Sequence, residues 1–111
     1  MTFGQKVVKI IKQVPYGKVT TYGYVAIMAG LPRGARLVGG ILMHQSEKQQ
    51  LPWQRVINRE GYLSIRNPEY PKPLQKALLE QEGVEVSSEF IVDLKKYGWI
   101  MDFSDVPGKS K

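Results

Sequence analysis

The sequence predicts a mainly α-helical fold with a short β hairpin. The prediction rests on apolar residues recurring at helical spacing, proline and glycine punctuating those runs, and one short alternating stretch after residue 58. Phe3, Val7, Ile10, Ile11 and Val14 form a stripe along residues 2–14, while Gln5, Lys6, Lys9, Lys12 and Gln13 mostly face away. This first helix ends by Pro15. Tyr16-Gly17-Lys18-Val19 reads as a turn, and Thr20 or Thr21 caps a second helix through about residue 29. Gly30 suits its C-terminal turn, and Leu31-Pro32 stops it. A third helix is expected from about residue 33 to 44, with Arg33 and Arg36 at its start and Leu37, Val38, Ile41 and Leu42 on its buried side. Two short helices around a Gly-Leu-Pro corner suggest a helix-turn-helix.

Residues 45–51 are polar and form a loop before Pro52-Trp53-Gln54-Arg55-Val56-Ile57-Asn58. Arg59-Glu60-Gly61 then reads as a turn leading into the weakly alternating Tyr62-Leu63-Ser64-Ile65, hence a hairpin or a pair of extended arms. A fourth helix over about 71–82 is expected to bury Leu74, Ala77 and Leu78 and to end at Gly83. Val84-Glu85-Val86 suggests a short strand, and Asp93 caps a last short helix through Tyr97. The expectation is a single domain over residues 1–105 and a flexible tail over 106–111.

With 111 residues, 42% of them apolar, the chain can build one modest core. It has no cysteine, which excludes disulfides, thiolate catalysis and cysteine-ligated zinc, and its one histidine, His44, cannot form a histidine metal cluster. No metal and no cofactor are therefore expected. No apolar run approaches the ~20 residues of a membrane span, and the first residues open an amphipathic pattern rather than a signal peptide. These features suit a soluble intracellular protein, cytoplasmic in a bacterium or nuclear in a eukaryote.

The net charge of +6 is unevenly placed. Lys6, Lys9, Lys12, Lys18, Arg33, Arg36, Lys48 and Arg55 face only Glu47 in residues 1–58, whereas residues 59–111 hold eight basic against nine acidic side chains. A positive surface confined to one half favours a polyanion, because each neutralised phosphate releases condensed counterions.

Three motifs in order, Val14-Pro15-Tyr16-Gly17-Lys18-Val19-Thr20-Thr21-Tyr22-Gly23, Ala35-Arg36-Leu37-Val38-Gly39-Gly40 and Pro52-Trp53-Gln54-Arg55-Val56-Ile57-Asn58, resemble the DNA-binding domain of the O6-alkylguanine alkyltransferases. The resemblance implies their C-terminal-type domain, a winged-helix-like helix-turn-helix. Active members carry Pro-Cys-His-Arg-Val at the third motif, where the cysteine accepts the alkyl group. Trp53 stands there in this chain, as in the alkyltransferase-like proteins, whose usual motif is Pro-Trp-His-Arg-Val. An indole cannot replace an activated thiolate. Gln54, where histidine is usual in both groups, cannot cycle a proton near neutral pH, so no general base remains at that position.

The resemblance implies a non-enzymatic sensor that binds O6-alkylguanine in double-stranded DNA through the minor groove, flips the base and hands the lesion to nucleotide excision repair proteins. Arg36 would intercalate, Tyr22 would rotate the flanking phosphate, and Gly39 and Gly40 would admit the backbone closely, with Arg33 nearby. Trp53 and Arg66 would contact the flipped base, Gln54 would order the pocket, and backbone groups of Val56 and Ile57 would meet the base edge. Without the resemblance, Arg36 reads as an ordinary phosphate-binding arginine, Tyr22 as a half-buried aromatic, and the two glycines as helix packing. Glu82 reads as structural, Arg55 as either a phosphate contact or a carboxylate partner, and Met28 and Met43 as packing residues. The chain shows no dimerisation helix, so a monomer is expected. The alternative is a helix-turn-helix transcription regulator, which would ordinarily dimerise on a palindrome.

Overall fold

In the computed structural model the described residues are 1–63 and 70–100. Residues 64–69, which include Arg66, and 101–111, which include the expected tail, lie outside them. The elements run α1 (Phe3–Lys12), β1 (Thr20–Thr21), α2 (Tyr22–Met28), α3 (Ala35–Gln45), a 3₁₀ turn (Trp53–Arg55), β2 (Val56–Ile57), α4 (Lys72–Gln81) and α5 (Leu94–Tyr97).

Local chemistry sets the helix ends. Thr2 and Gln5 form a reciprocal capping box at α1, each side chain accepting from the other's backbone N–H. The Thr21 hydroxyl accepts from the Tyr24 amide at 3.1 Å and starts α2. At the far end of α2 the chain reverses through Gly30 at φ +92°, with Leu31 N–H bonded to Ala26 C=O and Gly30 N–H to Ile27 C=O. These are the paired bonds of a left-handed helix stop that glycine makes without steric penalty. Asp93 caps α5 through the Lys95 amide at 2.9 Å.

Two apolar clusters fill the interior. The first joins Val7, Ile10 and Ile11 of α1 to Val25 and Ala26 of α2, Val38 and Leu42 of α3, and Val56. The second joins Val19, Ile57, Leu63, Leu79, Val84, Val86, Val92 and Tyr97. Successive side chains on a strand point to opposite faces. Val56 therefore enters one cluster and Ile57 the other, and β2 is the seam between them.

Several expectations are corrected by tertiary contacts. Among the described residues the strand pairing is not the hairpin expected around residues 59–61, whose second arm at Ser64 and Ile65 lies outside them: β2 pairs in parallel with β1, in the register Thr20↔Val56 and Thr21↔Ile57. The turn itself is present, with Gly61 N–H bonded to Asn58 C=O and Asn58 N–H to Tyr62 C=O, but Tyr62 bridges to Ile91 in antiparallel sense. Val84-Glu85-Val86 forms no strand, although both valines are buried. In α4 the buried residues are Gln75 and Leu79, while Leu74 is exposed, because Gln75 reaches under the 3₁₀ turn and brings that face inward. Helix α3 begins at Ala35, leaving Arg33 in the preceding turn, and Leu37 is 56% exposed on the side away from Val38 and Leu42.

Candidate nucleic-acid interface

An open groove of about 1220 Å³ lies along α2 and α3, lined by Tyr22, Gly23, Tyr24, Ile27, Arg36, Gly39, Gly40, Met43, Asn58 and Arg59, with Thr21, Pro32 and Ala35. It gathers four of the expected site residues, Tyr22, Arg36, Gly39 and Gly40, which come from two separate helices. Arg33 is exposed but does not line it. Arg36 is exposed on the first turn of α3, free of acidic neighbours in that turn. Tyr22 heads α2 and leans on the first cluster. Burial pushes its hydroxyl up to about 12, so it stays protonated and able to donate at neutral pH.

Three groove residues were not legible as such. Asn58 and Arg59 arrive because Thr21 pairs with Ile57, which sets residue 58 beside residue 22. Met43, expected as packing, is 42% exposed and lines the groove, because α3 turns Val38 and Leu42 inward instead. The only sequence signal for Arg59 was a cation directly after the third motif.

Gly39 and Gly40 sit in the middle of α3, where each glycine costs about 1 kcal/mol relative to alanine. A Cβ at Gly40 would meet nothing within 4 Å, and one at Gly39 only the Tyr22 ring, at 3.9 Å. Packing among the described residues therefore does not require either glycine. Both face the groove.

Of the third motif only Asn58 lines that groove; Trp53, Gln54, Arg55, Val56 and Ile57 do not. Trp53 begins the 3₁₀ turn, packs on the first cluster and stacks on Tyr70, with ring centroids 4.3 Å apart. Gln54 Nε2 donates to Glu82 Oε2 at 2.8 Å, and Arg55 Nε donates to both Glu82 oxygens, at 2.9 and 3.1 Å. Arg55 also donates through Nη1 to Val14 C=O at 2.9 Å, and the Gly17 amide reaches Glu82 Oε1 at 2.8 Å. Arg55 is thus a carboxylate partner and Glu82 a structural hub whose side chain is 5% exposed. Burial alone would raise the Glu82 carboxyl, but hydrogen bonds from Arg55, Gly17 and Gln54 and the Arg55 charge hold it below its ordinary value.

Val56 and Ile57 are fully buried. The Val56 amide bonds Trp53 C=O and its carbonyl accepts from Gln75 Nε2 at 3.2 Å. His44 is exposed in the last turn of α3. Among the described residues no helix is long and apolar enough to cross a membrane.

A family model described as 6-O-methylguanine DNA methyltransferase, DNA binding domain, matches residues 2–84. The chain is 46% identical over 98 residues to the DNA base-flipping protein of Escherichia coli (strain K12), covering 88% of this chain and 74% of that protein. It is 40% identical over 101 residues to alkyltransferase-like protein 1 of Schizosaccharomyces pombe, covering 87% and 94%. Its fold is similar to that of S. pombe Atl1 in a crystal complex with damaged DNA containing O6-carboxymethylguanine, with a TM-score of 0.81 at 39% identity over 89% of this chain and 95% of that one. Mycobacterium tuberculosis O6-methylguanine methyltransferase is more distant, with a TM-score of 0.60 at 30% identity over 87% of this chain and 55% of that one. By its motifs, its fold and these relatives, the chain belongs to the family of the 6-O-methylguanine DNA methyltransferase DNA-binding domain and is similar to its alkyltransferase-like members.

Proposed function

We propose that this protein binds O6-alkylguanine in duplex DNA from the minor groove, extrudes the base and performs no chemistry on it. The observation that carries the proposal is the groove face of α3: two glycines that packing does not require, beside an exposed Arg36 and the Tyr22 hydroxyl. A helix with no side chains at its centre can approach a backbone or groove floor closely. Arg36 then enters the stack in place of the flipped nucleotide, its planar guanidinium stacking on the neighbouring bases. Tyr22 donates to the flanking phosphate, and Arg59 extends the cationic wall. Minor-groove readout is degenerate, which suits a protein that must find damage in any sequence.

The extruded base comes to Trp53, where stacking on an aromatic ring contributes ~1–3 kcal/mol and offsets much of the flipping cost. Arg66 supplies a cation over the same base. Without a cysteine the chain has no thiolate to accept an alkyl group, and Gln54 is engaged with Glu82 as a structural amide. The chain acts as a monomer, and the bound, unrepaired lesion is a signal for nucleotide excision repair proteins.

The test is affinity for matched duplexes containing guanine or O6-methylguanine at one fixed salt concentration, for the wild type and for Arg36→Ala. Lesion preference in the wild type, reduced in the variant, is expected. Equal affinity for both duplexes sinks the proposal, and strong preference for one undamaged sequence favours the regulator. Transfer of labelled alkyl group to the protein would contradict the absence of chemistry.

A further inference from the structure

The indole of Trp53 has one face covered. Tyr70 lies against it with centroids 4.3 Å apart and planes 13° from parallel. The Tyr70 hydroxyl accepts a hydrogen bond of 3.2 Å from Ser46 Oγ, at the end of α3, and Ser46 is itself buried. Rings at this separation are in contact, with no slot between them. A planar base inserted there needs about 3.5 Å on each face, so the ring planes would have to part to about 7 Å.

The backbone holds the two ring-bearing segments together. Tyr70 precedes Pro71, whose carbonyl accepts from the Leu74 and Gln75 amides as α4 begins. Gln75 is fully buried, and its Nε2 donates to Gln54 C=O at 3.1 Å and to Val56 C=O at 3.2 Å, on either side of Arg55 in the Trp53 turn. Widening the Trp53–Tyr70 gap by moving α4 would break both bonds inside the core. Rotating the Tyr70 side chain breaks only the ring contact and one exchangeable hydroxyl bond.

We propose that Tyr70 is a built-in competitor for the base pocket: in free protein its ring occupies the Trp53 face that an extruded base takes, and it swings out when the base arrives. This rests on the proposal above that Trp53 receives the base. The ring keeps the indole covered until a base displaces it. Undamaged guanine, which gives up more pairing energy on extrusion, competes less well than a lesion. The cost of displacing Tyr70 falls equally on guanine and on the lesion, so Tyr70 lowers the affinity for both by opposing binding, while the preference between them comes from the pairing energy each gives up. The apparent affinity is the intrinsic one reduced by the fraction of molecules with the pocket open.

The experiment measures binding of guanine and O6-methylguanine duplexes by the wild type, Tyr70→Ala and Tyr70→Leu, the last keeping an apolar cover without a flat ring. Loss of an aromatic stack is expected to tighten lesion binding about 2- to 12-fold in both variants, and the gain is expected to vanish in a Trp53→Ala background. Unchanged or weaker lesion binding in Tyr70→Ala and Tyr70→Leu, with lesion preference intact in the wild type, overturns the competitor role alone. Absence of lesion preference in the wild type overturns the base-binding proposal and this one with it.

Discussion

Replacing Glu82 by alanine removes the carboxylate that joins three segments: the Tyr16-Gly17 turn through the Gly17 amide, the Trp53 turn through Gln54 and Arg55, and the end of α4 where Glu82 stands. The variant leaves the Arg55 guanidinium, whose side chain is only 16% exposed, with Val14 C=O and the Tyr16 ring as its remaining partners. Breaking a buried pair from one side costs about 3–5 kcal/mol, because the other charge stays desolvated. Arg55 keeps some solvent and one carbonyl, so the low end applies, about 3 kcal/mol. For a domain of this size that lowers Tm by roughly 12–20 °C. Urea unfolding followed by circular dichroism measures the free energy, and thermal unfolding measures Tm. The double variant Arg55→Met/Glu82→Leu should be less destabilised than the sum of its single changes, since no charge is left stranded. A cost below about 1 kcal/mol for Glu82→Ala would refute the hub, showing that the network gains little beyond what water supplies.

Three further outcomes follow from the same geometry. The Glu82 carboxyl is held below its ordinary value, so between that lowered value and about 4.3 the unfolded chain binds more protons than the folded one. The resulting stability is present above that window and lost as pH falls through it, so Glu82→Gln should flatten the acid limb of a stability-versus-pH curve, and an unchanged limb would remove the assignment. Gly40→Ala should stabilise the free protein by about 0.5–1 kcal/mol, because its Cβ meets open space, while weakening DNA binding at the groove. If that variant binds DNA as tightly as the wild type, α3 does not approach the duplex closely. Gly61→Ala should destabilise by about 2 kcal/mol or more, since φ is +85° and the new Cβ would stand 2.3 Å from Val92 C=O. Chemical denaturation checks this, and a neutral result would mean the turn can reopen elsewhere.

Some features needed no tertiary structure to be read. Thr21, Gly30 and Asp93 are local devices whose partners lie a few residues away, so the ends of α2 and the start of α5 follow from the chain alone. The absence of cysteine and the three ordered motifs likewise carried the family and the missing thiolate without any coordinates. Leu37, Leu74 and Met43 were misplaced because periodicity gives a helix an apolar stripe but not the direction from which its neighbour approaches. The parallel pairing of Thr20–Thr21 with Val56–Ile57 joins residues 36 positions apart, and no alternation pattern in two-residue strands encodes such a partner.

The sequence by itself determined that the chain has no cysteine and that three ordered motifs carry Tyr22, Arg36, the glycine pair and Trp53. Only the tertiary structure decided which of these meet. It set Asn58 and Arg59 into the groove with Tyr22 and Arg36, turned Gln54 and Arg55 inward to Glu82, and laid Tyr70 over the Trp53 ring. The physical reason is that caps and motifs are fixed by near neighbours, whereas a shared groove depends on strand register and on which buried groups satisfy one another across the fold.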